Sequence, residues 1–407
     1  MMQDLGIILW AAVVMVALNL VMVALTLGVK AARSVRKRQT KARIARLETA
    51  LDESVASGEV HPDLRRLGDR DLDLLATMMV DYLSLLRGAE RERLVRLAEE
   101  AGLVGRYLDR LGSPGRWKKA RAAENLGYFG GPEAAGPIAS LLAHRDETLR
   151  AVAARALARI GTPEAAGTLA QTLNDPSELT RLRMAENLER IGLLAVGALA
   201  ETLRHGNPPA RVLAARVIGN LRAFEARPAL REAMLDGEFP DLRAQVALAL
   251  GKISNPDDLP VLLEAAADRA WPVRAQAASA LGLIGDVSTI PTLQKLTVDR
   301  EWWVRLNASG ALANMGPTGE KALASLLEGE DRYTRDRAAA TLEERGIVRR
   351  AVGELAAPGE KGAGARAMIR AMVRAGAVRY LERLARTFPD ERARDALRRT
   401  MREARES

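Results

Sequence analysis

The chain has 407 residues, 48% of them hydrophobic but only 3% aromatic, a net charge of +9 and no cysteine. The lack of cysteine excludes disulfides, thiolate metal sites and thiol chemistry. The positive charge is terminal: residues 30–50 carry eight Lys/Arg against one Glu, residues 345–407 carry sixteen against eight acids, and residues 51–344 are about five charges negative by difference, which leaves the middle of the chain without a polybasic character.

The first predicted element is an apolar helix. Leu5 to Val29 runs 25 residues without a charge. At ~1.5 Å per residue this exceeds a hydrocarbon core of ~30 Å, so residues 1–29 are expected to form a transmembrane anchor. A cleaved signal peptide would carry positive charge ahead of the apolar run. Here Asp4 precedes it, and Lys30, Arg33, Arg36, Lys37 and Arg38 follow it. That asymmetry places the N-terminal end outside, and the rest of the chain in the cytoplasm at the inner membrane. The same five cations are candidates for contact with anionic headgroups. Residues 30–61 read as a basic juxtamembrane helix and a polar linker that ends near Gly58. Residues 62–112 read as a helical cap, with Leu72, Leu75, Met79, Tyr82, Leu83 and Leu86 on one face.

From 113 to 345 the chain repeats itself. Lys119, Arg150, Arg181, Arg211, Arg243, Arg274, Arg305 and Arg335 lead similar segments, spaced 30 to 32 residues apart. Seven residues after each lead stands Leu126, Leu157, Leu188, Ile218, Leu250, Leu281, Leu312 or Leu342. Residues 268–298 show the unit most clearly. Val273, Ala277, Leu281 and Ile284 form one helical stripe, Gly285 ends that helix, and Pro291 sits near the start of a second. Each helix has an Ala-rich face too narrow to make a core alone, so neighbouring units must stack. Asp146, Asp175, Asp268, Asp299 and Asp331 lie four to six residues ahead of lead arginines, and a ladder of Asp–Arg hydrogen bonds between repeats is expected. Trp117, Trp271, Trp302 and Trp303 stand just before the leads, and are expected to pack between repeats.

Beyond Arg345 the pattern dissolves. Gly359, Gly362 and Gly364 suggest a loop, and Ala365–Ala375, Ala377–Thr387 and Glu391–Glu406 suggest short basic helices, so residues 346–407 are expected to form a basic helical cap. No catalytic pattern is present: no phosphate loop, no G-x-S-x-G and no H-E-x-x-H. The histidines His61, His144 and His205 are far apart in sequence. No enzyme activity, metal or cofactor is expected.

The pattern of Asp, then Trp or Val before Arg, an Ala-rich Leu-Gly-x-Ile-Gly and Pro, which residues 268–298 match closely, resembles the short HEAT repeats of the phycobilisome-lyase type. The resemblance covers about 113–345. It implies an all-α, right-handed α-solenoid of about eight helix–turn–helix repeats, here with one N-terminal transmembrane helix added, and with the second helices lining the concave face. A HEAT-type hydroxylase with a di-iron centre needs paired His-Glu steps, and the chain has none.

On the second helices the polar positions include Gln171, Glu201, Arg204, Arg231, Glu232, Glu264, Gln294 and Lys295. Their signs alternate, which suits a protein partner better than phosphates. The expected function is therefore a membrane-anchored scaffold whose partners are a membrane-associated protein and, through Leu5–Val29, the bilayer. The layout is similar to that of accessory subunits of bacterial envelope or polysaccharide machinery. The alternatives are a bilin-lyase-like enzyme and a nucleic-acid-binding solenoid using the basic C-terminus.

Overall fold

A computed structural model describes residues 2–65, 67–236 and 238–406; the side chains of 2–14, 16–21, 24, 32, 36 and 69 lie outside that description. The described residues are all-helical. α1 is Met2–Ser57, α2 Pro62–Arg65, α3 Asp69–Leu85, α4 Gly88–Glu100 and α5 Leu103–Leu111. The helix pairs follow: α6 Arg116–Phe129, α7 Ala135–Ala139, α8 Glu147–Ile160, α9 Pro163–Gln171, α10 Glu178–Ile191, α11 Val196–His205, α12 Pro208–Asn220 and α13 Arg227–Met234. Then come α14 Pro240–Ile253, α15 Leu259–Ala265, α16 Trp271–Ile284, α17 Ile290–Leu296, α18 Trp302–Asn314, α19 Gly316–Ser325 and α20 Arg332–Glu344. α21 Ile347–Glu354, α22 Gly359–Arg374, α23 Val378–Thr387 and α24 Glu391–Glu406 complete the chain. They form two compact units, residues 1–160 and 161–407. The alternation of longer first helices and shorter second helices is that of an α-solenoid.

The repeat stripe is the core. All eight residues seven places after the leads, from Leu126 to Leu342, are 0% exposed. Each contributes about 2 kcal/mol by leaving water. Six first helices begin with a side-chain or proline signal: Asp146, Ser177, Asn207 and Asp331 accept bonds from the N–H three residues on, at α8, α10, α12 and α20, while Pro240 and Pro272 fill the first turns of α14 and α16. At their far ends the chain reverses through a left-handed residue. Gly285 has φ +76°, and in the preceding repeat Ser254 takes the same place at φ +59°.

Small residues set how closely first helices approach. A Cβ on Gly251 would stand 2.5 Å from the Ala280 Cα, and one on Gly282 would stand 2.5 Å from the Ala311 Cβ. Gly127 meets Ala156 in the same way within the first unit. These glycines lie inside helices, where flexibility costs about 1 kcal/mol relative to Ala, so close packing must be what holds them there.

Two expectations change. Gly359, Gly362 and Gly364 do not form a loop but open α22. A Cβ at Gly362 would lie 2.0 Å from the Ala357 carbonyl oxygen, so glycine lets the helix fold back on the chain that enters it. The repeat geometry also reappears after Arg345. Arg394 donates to the carbonyls of Phe388 and Pro389, six and five residues earlier, as Arg150, Arg181, Arg274, Arg305 and Arg335 do in their own repeats. Met401 replaces the Leu seven residues on and is buried.

α1 continues without a break through the basic run. Its last turns dock on the first unit: Leu47, Ala50, Leu51 and Ser54 are buried at three- and four-residue spacing, and Arg46 pairs with Asp63 at 3.2 Å. Lys30, Arg33, Lys37 and Arg38 are exposed, while the Arg36 side chain lies outside the described residues. Among the described residues no helix is long and apolar enough to cross a membrane. Most side chains of Leu5–Val29, where the anchor is expected, lie outside the described residues.

Candidate partner-binding face

The lead arginines and their aspartates make one relay through the second unit. Arg211 donates to Asp236 at 2.7 Å, and the Asp236 carbonyl accepts from Arg243 at 2.8 Å. Arg243 grips Asp268 with two bonds of 2.9 and 3.1 Å, and the Asp268 carbonyl accepts from Arg274. Arg274 grips Asp299 in turn, and the Asp299 carbonyl accepts from Arg305 at 2.7 Å. Each aspartate also accepts the N–H two residues on, at Glu238, Ala270 and Glu301. One carboxylate thus fixes the start of its own repeat and holds the previous one. Burial pushes the carboxyls of Asp236, Asp268 and Asp299 up, but the arginines and the N–H donors outweigh it, and all three end below the usual carboxylate range. Of the five aspartates expected in the ladder, Asp268 and Asp299 take part in it, joined by Asp236; the Asp146 carboxylate instead accepts from Arg116, that of Asp175 from the Ser177 N–H and that of Asp331 from the Thr334 N–H.

The tryptophans are not buried between repeats. Trp117 is 71% exposed, and Trp271, Trp302 and Trp303 are 39%, 48% and 54% exposed.

The second helices present the polar face. Glu201 and Glu232 are 65% and 66% exposed and share Arg204, at 2.7 and 3.3 Å. Glu264 and Lys295 occupy the same register further on and are exposed, as is Gln171 before them. Two of the candidates are partly committed to structure. Arg231 donates to the Asp258 carboxylate at 2.6 Å and to the Asp257 carbonyl at 2.9 Å. Gln294 lies within hydrogen-bond distance of the Ala322 carbonyl and the Ser325 hydroxyl. Asp258 itself is fully buried and is also gripped by Arg227 at 2.8 Å. Sequence reading missed this buried pair because Arg227 and Asp258 fall outside the repeat's shared pattern. The distance of 31 residues between them was the only available signal.

His144 accepts from the Asp146 N–H, and His205 stands 3.7 Å from Glu201. Among the described residues no group of three or more His, Asp or Glu is placed to hold a metal.

The family model for HEAT repeats matches residues 107–189, 196–281 and 260–343, more than half of the chain. No curated protein is detectably similar in sequence. Among solved structures, an engineered protein aligns over 84% of this chain and 97% of its own at 20% identity, with a TM-score of 0.32. Human deoxyhypusine hydroxylase aligns over 60% of this chain and 96% of its own at 23% identity and a TM-score of 0.27. The karyopherin Kap121p bound to the SUMO protease Ulp1p aligns over 84% of this chain and 46% of its own at 13% identity and a TM-score of 0.46.

Proposed function

The chain belongs to the HEAT-repeat family, and from that premise we propose that it is a scaffold that holds a protein partner on its second helices while an N-terminal helix fixes it to a membrane. The observation that carries the reading is the exposed register Glu201, Glu232, Glu264 and Lys295, with Arg204 bridging the first two. A row of mixed charge, mostly carboxylate, fits a protein surface of complementary pattern and repels a uniformly charged phosphate backbone. The aspartate relay serves the stack, which leaves these outward positions available for recognition. No catalytic role is proposed. The finer likeness to the phycobilisome-lyase type rests on the residues of 268–298 alone.

The anchor belongs to the same proposal. Leu5–Val29 has the length and lack of charge of a membrane span, and the cations that follow it favour a cytoplasmic location for the repeats. Holding the scaffold at the inner membrane would raise its effective concentration for a membrane-bound partner. The envelope or polysaccharide setting is the finest form of this reading. The test is crosslinking in cells followed by detergent extraction, with wild type beside Glu201→Lys/Glu232→Lys. A specific membrane-protein partner recovered with wild type and lost with the double variant is the expected outcome. Identical recovery with both would remove the second-helix face from consideration.

A further inference from the structure

A second surface of the second unit runs along the first turns of its first helices. Leu179, Pro209, Pro240, Trp271, Trp302 and Tyr333 follow one another at steps of 30 or 31 residues. They fall on α10, α12, α14, α16, α18 and α20, one per repeat. Leu179 is 52% exposed, Tyr333 is 70% exposed, and the two tryptophans between them are exposed as well. At one end of the row Pro209 and Pro240 themselves line a mostly apolar pocket of ≈ 370 Å³ with Leu182, Val212, Phe239 and Leu242, and Glu178, Arg181 and Asp241 complete its wall, so this end takes an apolar residue and not a carboxylate. At the other end the exposed rings touch their neighbours. Trp302 and Trp303 meet edge to face with centroids 4.7 Å apart, and the Arg305 guanidinium lies 5.9 Å from the Tyr333 ring centroid.

Core packing does not account for such a row, because Leu179, Pro209, Trp271, Trp302 and Tyr333 are exposed and only Pro240 is half-buried. Its spacing limits what can bind. Neighbouring helices stand ~8–10 Å apart. A polyproline II chain turns once in three residues, or about 9.3 Å, so one of its faces presents a side chain to each successive helix. A β-strand covers a similar distance in three residues but alternates its faces, and therefore cannot meet each repeat with the same edge. Rigid aromatic rings are the surface on which proline-rich segments dock. Charge narrows the choice further. Arg300 and Arg332 flank the rings with 77% and 82% of their side chains exposed. Their own ion pairs, to Glu301 at 3.7 Å and to Asp336 at 3.6 Å, are long and solvent-exposed, so they compete weakly with an incoming carboxylate.

We propose that the row Pro209–Pro240–Trp271–Trp302–Tyr333 is a docking track for an extended, proline-rich, acidic segment of a protein partner. The segment lies across the repeats, sets a proline against each ring, places carboxylates beside Arg300 and Arg332, and drops an apolar residue into the pocket between α10, α12 and α14. The track is separate from the second-helix face, and neither requires the other.

Trp271, Trp302 and Trp303 are three of the chain's five tryptophans, so their fluorescence reports the track directly. The full chain in detergent is titrated with a twelve-residue peptide repeating Pro-Pro-Glu. Control peptides of the same length repeat Pro-Pro-Lys and Gly-Ser-Glu. The expected result is a saturable blue shift with the first peptide, and binding about tenfold or more weaker for both controls and for Trp302→Ala. Arg300→Glu, at an exposed position, is expected to shift the preference toward the lysine peptide. Circular dichroism melting checks that both variants fold. Glu232→Lys should leave peptide binding intact even where it abolishes partner recovery, which separates failure of the track from failure of the second-helix reading. The proposal is overturned by no saturable shift with the Pro-Pro-Glu peptide, by equal response to the lysine peptide, or by an unaltered Trp302→Ala. A shift produced by anionic vesicles but not by the peptide would assign the row to lipid and equally overturn it.

Discussion

Arg274 holds Asp299 across 25 residues with two parallel hydrogen bonds, Nε to Oδ2 at 2.8 Å and Nη2 to Oδ1 at 2.9 Å. The side chains are only 10% and 12% exposed, so water does little to replace either partner. Removing one strands the other in a poorly solvated place. Arg274→Ala is therefore expected to cost about 3 kcal/mol, measured by urea unfolding of the full chain. Arg274→Lys should recover only part of that, because an ammonium cannot make the two parallel bonds of the guanidinium. Arg300→Ala, a neighbouring but 77% exposed arginine, should change stability little. Equal losses at Arg274 and Arg300 would mean that the relay is not what joins these repeats.

The relay also sets a pH dependence. Asp236, Asp268 and Asp299 have folded pKa values below the ordinary one. A depressed carboxylate contributes stability that is fully present above its unfolded value, near 3.9, and is lost as pH falls through the folded value. The melting temperature should thus hold steady from neutral pH to about pH 5 and drop below about pH 4. Asp268→Asn should melt lower than wild type at pH 7 and lose less on acidification. An acid-induced drop as large in the variant as in wild type would show that Asp268 is not one of the groups responsible.

The reach of the sequence can be judged from these same residues. The lead arginines and the residues seven places on were legible because they recur, and recurrence is what identical neighbour-to-neighbour contacts leave behind. The partner of each arginine was legible only as a class of residue, since a period reveals register and not which side chains point together. The tryptophans show the opposite error. They recur as well, and recurrence suggested packing, yet a repeat array repeats an exposed position as faithfully as a buried one. Arg227 and Asp258 were missed because only one pair of repeats carries them. The α22 glycines were misread because Gly signals a turn by conformation and a close approach by size, and sequence does not separate the two.

Close approach at one helical glycine and open space at another make opposite predictions in neighbouring helices. At Gly282 an added Cβ would stand 2.5 Å from the Ala311 Cβ, so Gly282→Ala should destabilise by about 1–3 kcal/mol despite the better helix propensity of alanine. At Gly310 the nearest atom to an added Cβ is the far end of Arg345, at 3.6 Å. Gly310→Ala should instead stabilise by about 0.5–1 kcal/mol, the propensity gain with no clash against it. Thermal melts of the two variants beside wild type read the signs directly. If both moved the same way, spacing between first helices would not be set by these residues.

The anchor can be tested with unusual directness because the chain has no cysteine of its own. Gln3 and Thr40 bracket Leu5–Val29, and a single cysteine at either position is the only thiol present. If the apolar run spans the inner membrane with its N-terminal end outside, an impermeant maleimide that has reached the outer surface of that membrane labels Gln3→Cys. Thr40→Cys then reacts only after the inner membrane is permeabilised. The basic run supplies the reason for this sense, since Lys and Arg are retained on the cytoplasmic side. Replacing Lys30, Arg33, Arg36, Lys37 and Arg38 with Gln should therefore blur the labelling pattern, while leaving Leu5–Val29 able to insert. Labelling of both positions in unpermeabilised cells would contradict a single span. Extraction of the whole protein from membranes by alkaline carbonate would contradict any span, and would leave the docking of Leu47, Leu51 and Ser54 on the first unit as the sole role of α1.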